Sequence, residues 1–103
     1  MEEIKQIINK CVCIYNCSIK NIILFGSRAR SDYKKDSDYD ILVVINEEIE
    51  NEQKIALSCV ITRELAENWI NADIIVKSNN ELALYENCLG SVIRTALKEG
   101  VVV

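Results

Sequence analysis

Apolar residues recur along this chain in two spacings, one typical of helices and the other of buried strands. Residues 2–16 have apolar side chains at helical intervals, with Glu2 and Glu3 in the first turn, where acidic residues are favourable. This pattern predicts an N-terminal helix. Residues 50–69 repeat the helical interval, and a last helix is predicted over about 80–98 with an interruption near Gly90. In the helix over 50–69, the positions expected to face the core are Ile55, Cys59 or Ala56, Ile61 or Thr62, Leu65 and Trp69.

Three short apolar runs predict strands, at residues 20–25, 38–45 and 72–77. The run over 38–45 is apolar on both alternating faces after its first residues, which indicates burial on both sides of a sheet. The last residues, Val101–Val103, either extend a strand or fray. The predicted fold is therefore α/β (α+β), with a three-stranded sheet flanked by about four helices in one domain over residues 1–103. Because the first two strands are joined by a short polar segment, we expect a mixed sheet.

Composition narrows the classes of function. The chain has 103 residues and a net charge of −4, which argues against nucleic acid or an anionic membrane as the main partner. There is no signal peptide and no long apolar run, so a cytoplasmic location and no membrane span are expected. Five scattered cysteines and no histidine favour reduced thiols over a disulfide framework or a zinc site.

Three aspartates mark the starts of two predicted strands. Asp38 and Asp40 are two residues apart, so on a strand they project to the same face about 6.5–7 Å apart. Paired carboxylates repel each other unless a cation joins them, and Mg²⁺ prefers such oxygen ligands. Asp73 begins the third predicted strand and is expected beside them, as a metal ligand, as a proton acceptor, or as both. Aspartate is also common in turns, so each residue alone is weak evidence.

A glycine and a serine follow the first strand. Gly26 permits a sharp turn and a close approach by a ligand, and the backbone amides with the Ser27 hydroxyl can bind phosphate oxygens. Arg28 and Arg30 are suited to phosphate contact, although arginines at such positions are often simply solvated. Neither a P-loop nor a dinucleotide-binding glycine pattern is present.

Taken together, these residues form a recognisable motif. Gly26-Ser27, ten intervening residues and then Asp38-x-Asp40 resembles the signature of the DNA polymerase beta-like nucleotidyltransferase superfamily. The stretches 25–43 and 93–102 resemble its minimal nucleotidyltransferase (MNT) branch. The resemblance implies a polymerase beta-like palm core and transfer of AMP from ATP, with pyrophosphate released. It also implies that Gly26 and Ser27 hold the triphosphate, that Arg28 and Arg30 assist, and that Asp38, Asp40 and Asp73 serve as catalytic ligands of Mg²⁺, with two ions expected.

The acceptor is less well defined. Several members of the MNT branch act as antitoxins that AMPylate a HEPN-domain RNase toxin. Because a chain this short leaves no room for a separate acceptor domain, the resemblance implies a HEPN partner protein. Two alternatives stay open: a non-catalytic antitoxin that only binds the toxin, and a nucleotidyltransferase acting on a small molecule or RNA. A homo-oligomer is also compatible with the sequence.

Overall fold

The computed structural model describes residues 1–30, 38–85 and 91–103, where one sheet of four strands packs against five α-helices. The strands are β1 (Ile19–Phe25), β2 (Tyr39–Ile45), β3 (Ala72–Ser78) and β4 (Val101–Val102). The helices are α1 (Glu2–Ile14), α2 (Ser27–Arg30), α3 (Asn51–Glu67), α4 (Leu82–Tyr85) and α5 (Val92–Glu99), and a 3-10 turn, Asn79–Glu81, precedes α4. The predicted α/β class is confirmed.

The strand order is β3-β2-β1-β4. β1 runs antiparallel to β2 and to β4, whereas β2 and β3 are parallel, so the predicted mixed sheet is confirmed. The prediction of three strands was wrong, because the chain after α5 adds β4 beside Ile23 and Leu24. Gly100 lies immediately before β4, and a Cβ atom at this position would collide with the carbonyl oxygen of Ala96 and the side chain of Ile23.

Both faces of β2 are buried, as its apolar run predicts. Ile41, Val43 and Ile45 point to one face, where they join the larger core cluster with α1 and α3. Leu42 and Val44 point to the other face, where they join a smaller cluster with β1 and α5. All five side chains are fully buried. The central strand is therefore fixed from both sides, and its first residues are held in a defined place.

The predicted buried face of α3 was wrong in part. Leu65 and Ile61 are buried as expected, but Ile55 is 64% exposed, and Cys59 and Ala56 are exposed as well. The residue that takes the place of Ile55 in the buried stripe is Lys54, which is 6% exposed. Lys54 is tolerated there because its ammonium group pairs with the Glu81 carboxylate at 2.8 Å.

Trp69 was also predicted to face the core and is instead 95% exposed. The reason is that α3 ends at Glu67, so Trp69 no longer follows the helical repeat. The Trp69 N–H donates to the Ala66 carbonyl and the Ile70 N–H donates to the Leu65 carbonyl, the bonding pattern of a Schellman motif. Trp69 occupies its left-handed position, with φ of 63°, where glycine is usual.

The single helix predicted over 80–98 is observed as the 3-10 turn, α4 and α5, and the predicted interruption near Gly90 lies outside the described residues. Ser91 caps α5 by accepting from the N–H groups of Ile93 and Arg94. None of the described helices has the length and apolar content needed to cross a bilayer.

Four cysteines belong to the described part, all as free thiols, and Cys88 lies outside it. Burial raises the pKa of Cys11 and of Cys17, so both thiols stay protonated at neutral pH.

Candidate active site

The carboxylates lie where β2 and β3 begin. These strands are parallel, and their register places Asp40 beside Asp73. Paired residues on neighbouring strands share a face, with Cα atoms about 4.8 Å apart. Asp40 lies on the same face as Leu42 and Val44, which is the face covered by α5. The starts of β2 and β3 therefore lie side by side, as expected. β2 supplies the Asp40 carboxylate and β3 supplies the Asp73 carboxylate.

Asp38 differs from the other two aspartates in its position. β2 begins at Tyr39 rather than at Asp38, which precedes the strand and is exposed. Within the described residues, no three acidic, cysteine or histidine side chains gather closely enough to form a ready-made metal cluster. The paired carboxylates are Asp40 and Asp73, and Asp38 would complete the set by turning its exposed side chain toward them.

Gly26 lies directly against the Asp40 carboxylate. Phe25, the last residue of β1, pairs with Asp40, so Gly26 follows at the same end of the sheet. Its φ of +73° is favourable for glycine and costly for residues with a side chain. A Cβ atom at position 26 would overlap the Asp40 carboxylate, lying 3.1 Å from its Cγ. The absence of a side chain at this position therefore lets the backbone turn meet the acidic side chain.

Ser27 begins the single-turn helix α2 immediately after Gly26. The turn is closed by a hydrogen bond from the Ala29 N–H to the Gly26 carbonyl at 3.2 Å. Ser27 is half-buried. The predicted phosphate-binding pair thus lies next to the predicted metal-binding carboxylates, although the two are distant in sequence.

Arg28 has a contact that sequence reasoning did not predict. Its guanidinium carbon lies 4.2 Å from the centroid of the Tyr39 ring, a cation–π contact. Because side chains alternate along a strand, Tyr39 projects to the face of β2 opposite Asp40, where it packs against the larger core cluster. The contact therefore braces α2 against the start of β2. Arg30 ends α2, and its side chain is outside the described part of the structure.

Two contacts fix the ends of β3 and hence the position of Asp73. At the start of the strand, the Tyr39 N–H donates to the Asn71 carbonyl at 3.0 Å. At its end, Glu81 accepts from Lys54 and from the Ser78 N–H, both at 2.8 Å. Burial raises the pKa of Glu81, but these hydrogen bonds outweigh burial, so the pKa lies below its usual value. The carboxylate therefore stays ionised and keeps α3 attached to the end of β3.

The donor set suits a hard divalent cation. Asp40 and Asp73 offer carboxylate oxygens from neighbouring strands, and both Asp73 and Asp38 are exposed. Oxygen ligands of this kind bind Mg²⁺ while leaving coordination positions for phosphate oxygens.

Trp69 precedes Asp73 by four residues, in the turn that leads into β3. Nothing in the sequence indicated a role for it beyond the presence of a large aromatic residue near the end of a predicted helix.

Known proteins resemble this chain in sequence and in fold. A family model described as "Nucleotidyltransferase domain" matches residues 4–103. A protein of Methanocaldococcus jannaschii provisionally named a protein adenylyltransferase is 54% identical over 41 residues, which are 40% of this chain and 41% of that protein. A second protein of that organism with the same provisional name is 37% identical over 57 residues, or 53% of this chain and 58% of that protein. The chain thus spans about half the length of these relatives.

A crystal structure from Sulfolobus solfataricus has a similar fold. That protein is provisionally described as a nucleotidyltransferase and superposes with a TM-score of 0.63 at 26% sequence identity. The similarity covers 95% of this chain and 73% of the other. The likeness therefore extends beyond the site motif to the whole arrangement of sheet and helices.

Proposed function

Because the chain belongs to the nucleotidyltransferase domain family, we propose that it is a Mg²⁺-dependent enzyme that transfers AMP from ATP to a hydroxyl group of a partner protein. The observation that carries this proposal is the contact of Gly26 with Asp40, with Asp73 in register beside it. It joins a turn suited to phosphates to carboxylates suited to a cation, and phosphoryl-type transfer needs both.

Each residue has a defined task in this proposal. Gly26 and Ser27 bind the triphosphate through backbone amides and a hydroxyl group. Asp38, Asp40 and Asp73 would hold Mg²⁺, which when bound neutralises charge on the triphosphate and on the leaving pyrophosphate. Asp73 also accepts the proton of the attacking hydroxyl. The hydroxyl oxygen bonds to the α-phosphorus as the bond to pyrophosphate breaks.

A protein acceptor is supported by two relatives provisionally named protein adenylyltransferases. The resemblance to the MNT branch points further, to a HEPN-domain toxin as that acceptor and to neutralisation of its RNase activity by AMPylation.

The test is a transfer reaction with labelled ATP, Mg²⁺ and the protein encoded beside this chain. Wild type should label that protein, whereas the double variant Asp38→Asn/Asp40→Asn should not. Glu3→Gln removes an exposed carboxylate on α1, far from the site in sequence, and should transfer as wild type does. Equal labelling by wild type and the double variant would refute the proposal. Neutralisation of the toxin by the double variant at equal expression would instead indicate inhibition by binding alone.

A further inference from the structure

β3 forms one edge of the sheet, with β2 on one side and no other described strand on its outer side. In parallel pairing, alternate residues direct both backbone groups to the same neighbour. The Asn71 carbonyl accepts from Tyr39 of β2, so the residues at even positions, Ile74 and Val76 among them, direct their N–H and C=O groups outward. The Ser78 N–H agrees, since it bonds to Glu81 rather than to β2. An edge with such groups is a template for another strand.

A groove of about 590 Å³ runs along this outer edge, between α3 and α4. Its aliphatic walls include Ile74, Val76, Ile55 and Leu84, the last two being 64% and 77% exposed. Three charged residues line the groove: Lys54 pairs with Glu81, and Lys77 donates to the Tyr85 hydroxyl. What the groove offers to a ligand is therefore mainly the backbone of β3 and aliphatic surface, which suit an extended segment with apolar side chains at alternate positions.

The groove leads to the candidate active site. Asp73 lies on β3 itself, beside Asp40, at the end where the strand begins. Trp69 lies in the turn just before this point and is 95% exposed. Tryptophan is one of the residue types that contribute most to binding energy at protein–protein interfaces. A strand of seven residues spans about 23 Å, so a segment paired along β3 would reach from Leu84 to the carboxylates.

We propose that the outer edge of β3 binds an extended segment of the acceptor protein as an added strand, with Trp69 as its anchor beside the site. This inference rests on the proposed function, because it requires a protein acceptor. It specifies how the acceptor is recognised: main-chain hydrogen bonds at Ile74 and Val76 supply much of the affinity, and the register of the added strand decides which hydroxyl group meets Asp73.

Amide hydrogen exchange on the full chain tests the pairing directly, with the neighbouring gene product as the added protein. The amides of Ile74 and Val76 should exchange quickly in the free chain and at least about tenfold more slowly in the complex, since pairing protects them. The amides of Asp73 and Ile75 already bond to β2 and serve as internal controls that should change little. A complex that leaves Ile74 and Val76 unprotected overturns the proposal, and so does the lack of any complex at micromolar concentrations.

Substitutions test the groove independently of exchange. Ile55→Glu should lower AMP transfer at subsaturating acceptor by about tenfold, since it places a charge against an apolar segment. The matched control is Ile14→Glu on α1, where the isoleucine is 66% exposed and outside the groove. Ile74→Pro removes one outward N–H and should weaken transfer similarly. Equal loss with Ile55→Glu and Ile14→Glu, each binding Mg·ATP as wild type does, would contradict the proposal.

The remaining outcomes separate this inference from the proposed function. Protection of Ile74 and Val76 without AMP transfer by wild type would retain the groove and refute the enzyme activity. AMP transfer without such protection would retain the activity and refute the groove. Protection that grows with the concentration of this chain alone would assign the edge to a second copy and overturn the proposal.

Discussion

Gly26 meets two requirements at one position, since its φ is +73° and its α-carbon faces the carboxylate of Asp40. Either requirement alone favours glycine, and together they exclude any other residue without a shift of the backbone. The consequence is that the turn and the Asp40 carboxylate are held in contact before any ligand binds.

Replacing Gly26 with alanine is therefore expected to abolish the proposed AMP transfer. The left-handed backbone and the overlap with Asp40 should also lower the free energy of unfolding by about 1–3 kcal/mol. Urea unfolding and the transfer assay measure the two effects. Gly100→Ala is the control, because its Cβ atom would also collide, but with Ala96 and Ile23 rather than with the site. Transfer by folded Gly26→Ala at the wild-type rate would contradict this expectation.

The sequence indicated candidate site residues but not the contacts that they make. The motif spacing indicated Gly26, Asp38 and Asp40, and the start of an apolar run indicated Asp73. The position of Arg28 over the Tyr39 ring could not be predicted, because it depends on how a one-turn helix meets the start of a strand. The roles of all these residues stay predictions until variants are assayed.

At the level of elements, the turn that ends α3 contains a residue with an unfavourable backbone conformation. Trp69 occupies a left-handed position that disfavours residues with a side chain, and 95% of its surface is exposed. Strain kept at an exposed aromatic residue is consistent with a role in binding rather than in folding.

Trp69→Gly should therefore raise the free energy of unfolding by about 0.5–1 kcal/mol, because glycine adopts this conformation without strain. Urea unfolding followed by circular dichroism measures the change. Trp69→Ala keeps the unfavourable backbone and removes the same indole, so it should leave stability close to wild type. A stability loss with Trp69→Gly would show that the indole makes contacts that stabilise the fold.

The pair Lys54–Glu81 joins α3 to the end of β3, and its side chains are 7% and 16% exposed. Glu81→Ala leaves Lys54 buried without its partner and should destabilise the chain by about 3 kcal/mol. The double variant Lys54→Met/Glu81→Ala should recover most of that loss, since it removes the buried charge. A double-mutant cycle in urea measures the coupling, and additive losses would contradict a buried ion pair.

The same pair explains why the face of α3 was mispredicted. A buried lysine breaks the apolar stripe, so the exposed Ile55 seemed to be the better core residue. Whether a lysine is buried depends on a carboxylate that is distant in sequence, and periodicity alone contains no such information.

At the level of the whole molecule, the order of helices and strands followed from the apolar runs, and the mixed sheet followed from the short polar connection after β1. β4 could not be derived this way, because two residues show no periodicity and their pairing depends on where α5 directs the chain. The sequence thus predicted three strands and left open whether the last residues, Val101–Val103, extend a strand, as Val101 and Val102 do in β4.

Two glutamates at distant points of the fold contribute to its stability against acid. The pKa of Glu47 is lowered by the N–H and hydroxyl groups of Ser18, and hydrogen bonds from Lys54 and Ser78 lower that of Glu81 against the effect of burial. A carboxylate whose pKa is lower in the folded than in the unfolded state stabilises the fold at pH values above the unfolded pKa of 4.5. This stabilisation is lost as the pH falls through the folded pKa.

We therefore expect the urea concentration at the midpoint of unfolding to stay constant from neutral pH down to about pH 5 and to decrease at lower pH. The variant Glu81→Gln should show a shallower decrease, and so should Glu47→Gln, because each removes one group that must take up a proton. A decrease of the same steepness in wild type and both variants would exclude these two carboxylates as its source.

Trp69 also determines how this molecule appears by fluorescence. It is the only tryptophan of the chain, and almost all of its surface meets water. Its emission in the native state should resemble that of a free indole, so unfolding will scarcely move the spectrum. A macromolecule that covers Trp69 would instead exclude water from the ring and shift the emission to shorter wavelengths. The natural chain thus contains a built-in optical reporter that is insensitive to folding and responds to occupancy beside the carboxylates.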